Sequence, residues 1–469
     1  MTDWQGRHVT VAGLGVSGIP AAKALHARGA LVTVVNDGDD ARAREQAAEL
    51  EALGVTVRLG DGATLPEGTE LVVTAPGWKP DKPLFAAARA AGLEIWGDVE
   101  LAWRLRGPDA APWLAITGTN GKTTTTQMLA SILKAAGLRT AAVGNIGVSV
   151  LDAVLGEEEY DVLAVELSSY QLHWAPSLRA HSAAVLNLAP DHLDWHGSME
   201  AYAADKGRVY EGNRVACVYN VADKATEDLV READVEEGCR AVGFTLGTPG
   251  PSQLGVVDGI LVDRAFVENR QKNAQELAEI SDVNPPAPHN IANALAAAAL
   301  ARAFGVPAAA VRDGLRAFTP DAHRIAHVAD VHGVAYVDDS KATNTHAAEA
   351  SLAAYESIVW IAGGLAKGAA FDELVAKSAK RLRGAVLIGA DRALIREALA
   401  RHAPEVPVVD LDRTDTGAML QAVQEAKRLA APGDTVLLAP ACASMDMFTN
   451  YNKRGDAFAE AVRELGAGT

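Results

Sequence analysis

The stretch ITGTNGKTTTTQMLASIL, residues 116–133, decides how the chain is read. It follows the apolar run WLAIT and combines a glycine turn with a Lys-Thr pair, so strand, phosphate loop and helix come in succession. Only Thr119 and Asn120 separate Gly118 from Gly121, whereas the common phosphate-loop pattern has four residues there. A glycine turn lets backbone N–H groups converge on phosphates, and the helix that follows adds partial positive charge. In this pattern Lys122 reaches the outer phosphates and the Thr123 hydroxyl ligates Mg²⁺. Met128, Leu129, Ile132 and Leu133 recur as one apolar helix face. An ordinary turn with an exposed lysine competes, but Gly-Lys-Thr directly between strand and helix favours a nucleotide.

Working outward, short β-rich runs alternate with Ala/Leu-rich helical segments from end to end. This pattern predicts an α/β protein with parallel sheets and helices on both faces. Ligands of such sheets bind beyond the carboxyl ends of the strands. RTAAVG runs into Asn145, DVLAV into Glu166, Ser168 and Ser169, and SAAVLNLAP into Asp191 and His192. Later, GVAYV leads to Asp338–Lys341, SIVWIAGG to Lys367, and DTVLLAP to Ser444 and Asp446. Breaks at RLRGPDAAP and FTPDAHR divide the chain into residues 1–106, 107–320 and 321–469. The expected architecture is a Rossmann-like domain, a central mononucleotide-binding ATPase domain and a second Rossmann-like domain.

In the first domain VTVAGLGVSG places Gly13, Gly15 and Gly18 at dinucleotide-site spacing, with Asp37 ending the next strand. That spacing admits NAD or a UDP-type diphosphate equally. Glu166, His192 and Lys206 gather polar groups near the phosphate loop, where a carboxylate and an imidazole can hold a second divalent cation. Arg324, Lys341, Lys367 and Arg454 form a cationic set; Lys341 and Lys367 follow strands, where an anionic substrate is held, while Arg454 reads either as part of that set or as a solvated helix-face charge.

The formal charge of −17 over 469 residues argues against broad nucleic-acid or anionic-membrane binding, since both need a cationic face. No apolar run reaches the ~20 residues that span a bilayer, and the first residues lack a secretory pattern. Cys217, Cys239 and Cys442 have no CxxC spacing and fit reduced thiols. A soluble cytoplasmic protein is expected.

TGTNGKTTT, GNIG, VELSSYQL, NLAPDHLDWHGS, HNIANALAA, DDSKATN and APACASMDMF follow one another in this order. Together they closely resemble the Mur ligases of peptidoglycan synthesis, in particular the D-glutamate-adding branch, and the likeness covers nearly the whole chain. The family's phosphate loop is the short G-T-N-G-K-[ST] form. The resemblance implies an ATP-dependent amide ligase joining D-glutamate to UDP-N-acetylmuramoyl-L-alanine through an acyl phosphate, with two Mg²⁺ ions, as a monomer. It assigns ATP contacts to Gly118, Thr119, Asn120, Gly121, Lys122, Thr123, Thr124, Asn290, Arg324 and Asp339. Metal ligation falls to Thr123, Glu166 and His192, and Lys206 matches a lysine carried as a carbamate. Gly15, Val16, Ser17, Asp37, Gly77, Asn145, Ser168 and His192 are implied on the UDP-sugar. Thr343, Lys367, Ser444, Met445 and Tyr451 are implied around D-glutamate. The chain departs from the family at Asn36-Asp37-Gly38, where an arginine often helps hold the nucleotide.

Overall fold

Val, Leu and Ala runs build three sheets in the computed structural model, which describes residues 3–467. The first has β1 (His8–Ala12), β2 (Leu31–Asn36), β3 (Thr56–Leu59), β4 (Leu71–Thr74) and β5 (Glu94–Gly97), all parallel in the order β3-β2-β1-β4-β5. The chain reverses direction across the sheet between β1 and β4, and the Gly13–Gly18 turn leaves β1 at that switch point. Gly18 must lack a side chain, because a Cβ there would lie 1.9 Å from the Gly13 carbonyl oxygen.

The central sheet has β6 (Trp113–Thr117), β7 (Ala142–Gly144), β8 (Leu163–Glu166), β9 (Ser182–Val185), β10 (Ala216–Asn220), β11 (Arg240–Phe244), β12 (Gln253–Val257), β13 (Ile260–Asp263) and β14 (Gln275–Glu279). Their order is β14-β13-β12-β11-β10-β9-β6-β8-β7. Every residue of β6 is buried, as its continuous apolar run requires of a strand covered on both faces. Trp113 and Ala115 enter one core, while Leu114 and Ile116 enter the other with Met128, Leu129, Ile132 and Leu133 of the helix Lys122–Ala135.

The third sheet has β15 (Ala326–Val331), β16 (Val334–Asp338), β17 (Ile358–Gly363), β18 (Leu382–Ile388), β19 (Val408–Asp410) and β20 (Thr435–Leu438), in the order β15-β16-β20-β17-β18-β19.

The expected all-parallel pairing fails at two sheet edges. β13 runs antiparallel to β12 and β14, and β15 runs antiparallel to β16. Both reversals have a local cause. Asp258-Gly259 joins β12 to β13 with φ of 48° and 80°, and His332-Gly333 joins β15 to β16 with φ of 53° and 77°. Two successive positive φ values define the hairpin turn that matches strand twist.

The chain forms two compact units, Met1–Val283 with Ile291–Phe318, and Asn284–Asn290 with Thr319–Thr469. The first two sheets share one unit because the segment beyond β5 is knitted to the central sheet. Gly97 N–H donates to the Trp174 carbonyl at 2.8 Å, and the Trp174 ring packs 5.1 Å from Phe85. Glu100, fully buried, accepts from Ser177 N–H at 3.0 Å, the Ser177 hydroxyl at 2.5 Å and Arg104 Nε at 2.7 Å. Among the described residues no helix is long and apolar enough to cross a membrane.

Candidate active site

The loop after β6 needs its two glycines for backbone shape, with φ of 151° at Gly118 and 84° at Gly121. A Cβ on Gly121 would also meet the Asn293 side chain at 2.4 Å. Asn187, just beyond β9, accepts from Asn120 N–H at 2.8 Å and donates back to the Asn120 carbonyl at 3.1 Å. The Thr119 hydroxyl bonds the Ala189 carbonyl at 3.1 Å and pairs with the Tyr202 hydroxyl at 3.0 Å. Thr119 is therefore a strut of the loop. Thr123 and buried Thr124 begin the helix Lys122–Ala135.

Two lysines converge on one carbonyl. Lys122 Nζ donates to the Gly118 and Thr119 carbonyls at 2.9 Å each, and Lys206 Nζ donates to the same Gly118 carbonyl at 2.9 Å. Lys206 is buried at the end of the helix Met199–Gly207, over the Tyr202 ring at 4.7 Å. Burial first, and then repulsion from Lys122, holds its amine well below the ordinary lysine value. That environment favours a neutral, nucleophilic amine.

Glu166 ends β8 beside this pair. Its Oε1 accepts from Asn145 Nδ2 at 2.9 Å, while Oε2 is buried and has no hydrogen-bond partner. An orphaned buried carboxylate oxygen facing strand ends suits a cation. His192 adopts φ of 54°, is half exposed, and lies 3.5 Å from Asp191. Burial lowers its proton affinity, Asp191 opposes that, and Lys122 and Lys206 reinforce it, so the ring is a neutral donor of electron pairs. Ser168 caps the helix Ser169–His173 by accepting from Gln171 N–H at 3.2 Å.

A network missing from the sequence reading lies next to Lys206. Asp205 accepts from His173 Nδ1 and His196 Nδ1, each at 2.9 Å. Burial pushes the Asp205 carboxyl up, but the two imidazole hydrogen bonds overcome it and keep the group ionised. His196 Nε2 pairs with the Ser169 hydroxyl at 3.0 Å. Tyr170 stacks on His196 and lies 4.9 Å from His192. The signal was in HLDWH, which spaces His192 and His196 four apart.

On the first sheet, the Ser17 hydroxyl donates to buried Asp98 at 2.9 Å, whose carboxyl burial pushes up. Val16 is strongly exposed beside it. Asp37 is ion-paired with Lys82, and Lys82 lies over the Trp78 ring at 4.4 Å. The Gly77 carbonyl accepts from Trp195 Nε1 at 3.2 Å, and Lys79 Nζ donates to the Asp194 carbonyl at 2.8 Å. These contacts link the β4 loop to the segment after His192.

In the second unit, Asp339 follows β16 and is pushed up to about 6 by burial, with the Ser351 hydroxyl and Ile325 N–H bonded to it. Arg324 lies 4.0 Å from Asp321. Asn290 is buried and donates to the Pro285 carbonyl at 3.2 Å. Thr343 follows β16, exposed Lys367 follows β17 with φ of 50°, and buried Ser444 and exposed Met445 follow β20, so adjacent strand ends carry all four. Tyr451 begins the last helix, with Lys341 Nζ 4.0 Å over its ring. Arg454 corrects the sequence reading: it is buried, not solvated. Its guanidinium donates to the Ser340 hydroxyl at 3.0 Å, the Ser340 carbonyl at 2.9 Å and the Cys442 carbonyl at 3.0 Å, fastening two strand-end loops.

Comparison with known proteins fits this geometry. The Mur ligase middle domain model matches residues 116–301, and the model of the Mur ligase glutamate ligase domain matches residues 323–442. Among solved structures, MurF ligase from Thermotoga maritima in complex with ADP shares the fold at a TM-score of 0.58 and 15% identity, covering 100% of both chains. A pseudomurein peptide ligase type C from Methanothermus fervidus gives a TM-score of 0.58 at 17% identity, covering 98% of this chain and 100% of that one. The architecture is that of a Mur ligase. The UDP-N-acetylmuramoylalanine–D-glutamate ligase of Streptomyces coelicolor is 89% identical over 99% of this chain and 100% of its own length. Those of Streptomyces avermitilis and Thermobifida fusca are 88% and 60% identical, covering 100% and 99% of both chains. The chain belongs to the UDP-N-acetylmuramoylalanine–D-glutamate ligases of the Mur family.

Proposed function

We infer that the chain is an ATP-dependent amide ligase that adds D-glutamate to UDP-N-acetylmuramoyl-L-alanine in peptidoglycan precursor synthesis. The observation that carries the catalytic reading is the convergence of Lys122 and Lys206 on the Gly118 carbonyl. The unpartnered Glu166 Oε2 lies on the neighbouring strand.

Gly118–Thr124 binds the ATP phosphates, with Lys122 turned from the loop carbonyls onto the outer phosphate. The γ-phosphoryl group passes to the L-alanine carboxylate, forming a P–O bond to that carboxylate as the bond to ADP breaks. The D-glutamate amine then attacks the acyl carbon, and phosphate leaves as the amide forms. Positioning and charge neutralisation supply most of the rate in such transfers. Bound Mg²⁺ offsets repulsion between the carboxylate and the triphosphate. Among the described residues no three His, Cys, Asp or Glu cluster as a metal cage. Thr123, Glu166 with its unpartnered Oε2, and His192 would hold Mg²⁺, two ions in this reading, with water and phosphate oxygens completing the oxygen-rich shells that Mg²⁺ favours.

Lys206 is the residue whose environment most needs explanation. A buried neutral amine adds to CO₂ to give a carbamate and releases a proton. The product places an anion beside Lys122, which attracts it, where a protonated amine would be repelled. Asp205 and His196 hold the helix end that aims it. Asn290, Arg324 and Asp339 take the nucleoside side of ATP, and Gly15, Val16, Ser17, Asp37, Gly77, Asn145 and Ser168 take the UDP-sugar. Thr343, Lys367, Ser444, Met445 and Tyr451 take D-glutamate, with Lys367 as the charge-assisted contact to its side-chain carboxylate. We place the enzyme in the cytoplasm as a monomer.

The test is ADP release by the purified chain with each substrate omitted in turn. Release that requires both UDP-N-acetylmuramoyl-L-alanine and D-glutamate is expected. Equal release without either substrate would reject the reading. Hydroxylamine added in place of D-glutamate should trap an acyl hydroxamate.

A further inference from the structure

The linker RLRGPDAAP, a domain boundary in sequence, lines a cavity that the ligase reaction does not use. The cavity is a depression of about 580 Å³, open to solvent. Pro112, His181 and Val215 line it, and each immediately precedes a strand: β6, β9 and β10. It therefore opens at the amino ends of the central strands, roughly 17 Å from the phosphate loop at ~3.3 Å per residue of β6.

Arg106 and Arg214 both line this space. Among the described residues no carboxylate lies within 4.0 Å of either as an ion-pair partner, although Asp109 stands on the same rim. Arg106 is held in place, with Nε donating to the Trp103 carbonyl at 3.1 Å and its guanidinium over the Trp103 ring. His181 Nδ1 pairs with the Ser182 hydroxyl at 3.1 Å, so Nε2 remains for the cavity, and the ring is braced edge-on against Phe304 at 5.2 Å. Pro108, Pro112 and Val215 supply an apolar wall.

Two like charges sharing a concavity without a counter-ion repel each other in a chain whose net charge is −17. Burial lowers the Arg106 value, and repulsion from Arg214 lowers it further. Burial and the same Arg214 push His181 down to about 4, so its ring is neutral. An oxyanion would relieve all three groups, because paired guanidinium forks match phosphate or carboxylate oxygens.

We propose that Arg106, Arg214 and His181 form a second binding site, at the amino edge of the central sheet, for a small organic oxyanion with an apolar portion. The oxyanion is a phosphate or a carboxylate held between the two guanidinium groups, with the His181 Nε2–H as a third donor and the proline wall against the apolar part.

The site can be read locally by NMR of the full-length protein labelled at histidine, with His181→Gln used only to assign the signal. Inorganic phosphate and succinate are titrated separately, with sodium chloride at matched ionic strength as the control. The His181 signals should shift saturably with phosphate or with succinate, and their titration midpoint should rise by roughly one pH unit, a tenfold gain in proton affinity. The stronger of the two identifies the headgroup. In Arg214→Gln, whose exposed side chain is expendable for folding, the saturable shift should disappear. No saturable shift, an equal shift with chloride, or an undiminished shift in Arg214→Gln would each overturn the proposal. Phosphate held at the loop after β6 moves His192 instead, so that event is separable from binding at His181.

Discussion

The carboxyl edges of the central and third sheets present polar residues in the same way and in opposite condition. On the central sheet Lys206 and Glu166 are buried, each against groups that constrain its charge. On the third sheet Lys367 and Met445 stand in solvent. Burying a charge costs free energy unless it is paired or changes protonation. At the first edge that cost alters the reactivity of Lys206, whereas at the second Lys367 is left in solvent, free for recognition.

The sharpest way to break this contrast is Lys206→Ala. Turnover should fall about a thousandfold, in the range of lost preorganised electrostatic groups, with partial recovery by added short carboxylic acids. Full activity of the variant would remove the reactive role of the buried edge. Lys367→Ala probes the other edge. KM for D-glutamate should rise roughly tenfold to a hundredfold, the worth of one charge-assisted hydrogen bond, while KM for ATP stays fixed. A collapse of turnover at saturating D-glutamate would show that Lys367 does more than recognise.

Asp205→Asn tests how the buried edge is aimed. Loss of the imidazole contacts should lower kcat about tenfold with little change in KM for ATP. A change confined to thermal stability would make Asp205 structural only. The smallest effect concerns the third sheet's foundation. Asp338 accepts from His323 Nδ1 at 2.6 Å, and this bond raises the imidazole's proton affinity above its ordinary value. A group raised in the folded state stabilises it fully below the unfolded value near 6.5. That stability is lost as pH rises through the folded value. Stability should therefore decline on the alkaline side of pH 6.5, by on the order of 1 kcal/mol, seen as a falling melting temperature, and His323→Gln should flatten the decline.

Much of this was legible because parallel strands advertise their carboxyl ends. GTNGKT, Glu166 and Lys367 each follow an apolar run and stand at a strand end as expected. The antiparallel edges were legible too, in VVDGILV and DVHGVAYV, where a two-residue turn ending in glycine sits between strands. Reading the alternation of strands and helices alone passed over them. Arg454 and Asp205 were not legible. Their burial depends on loops brought together from distant positions, Ser340 and Cys442 for one and His173 and His196 for the other. A helix charge looks solvated until its neighbours are known.

The joint formed by Gly97, Trp174 and Phe85 has a further consequence. It makes the first sheet and the central sheet parts of one compact gauge, with the Gly13–Gly18 turn as one mark and Lys206 as another. If the diphosphate is anchored at the first mark, only a substrate of one reach sets its carboxylate at the second. Selection by length is then built into the packing of a tryptophan, far from any atom that reacts.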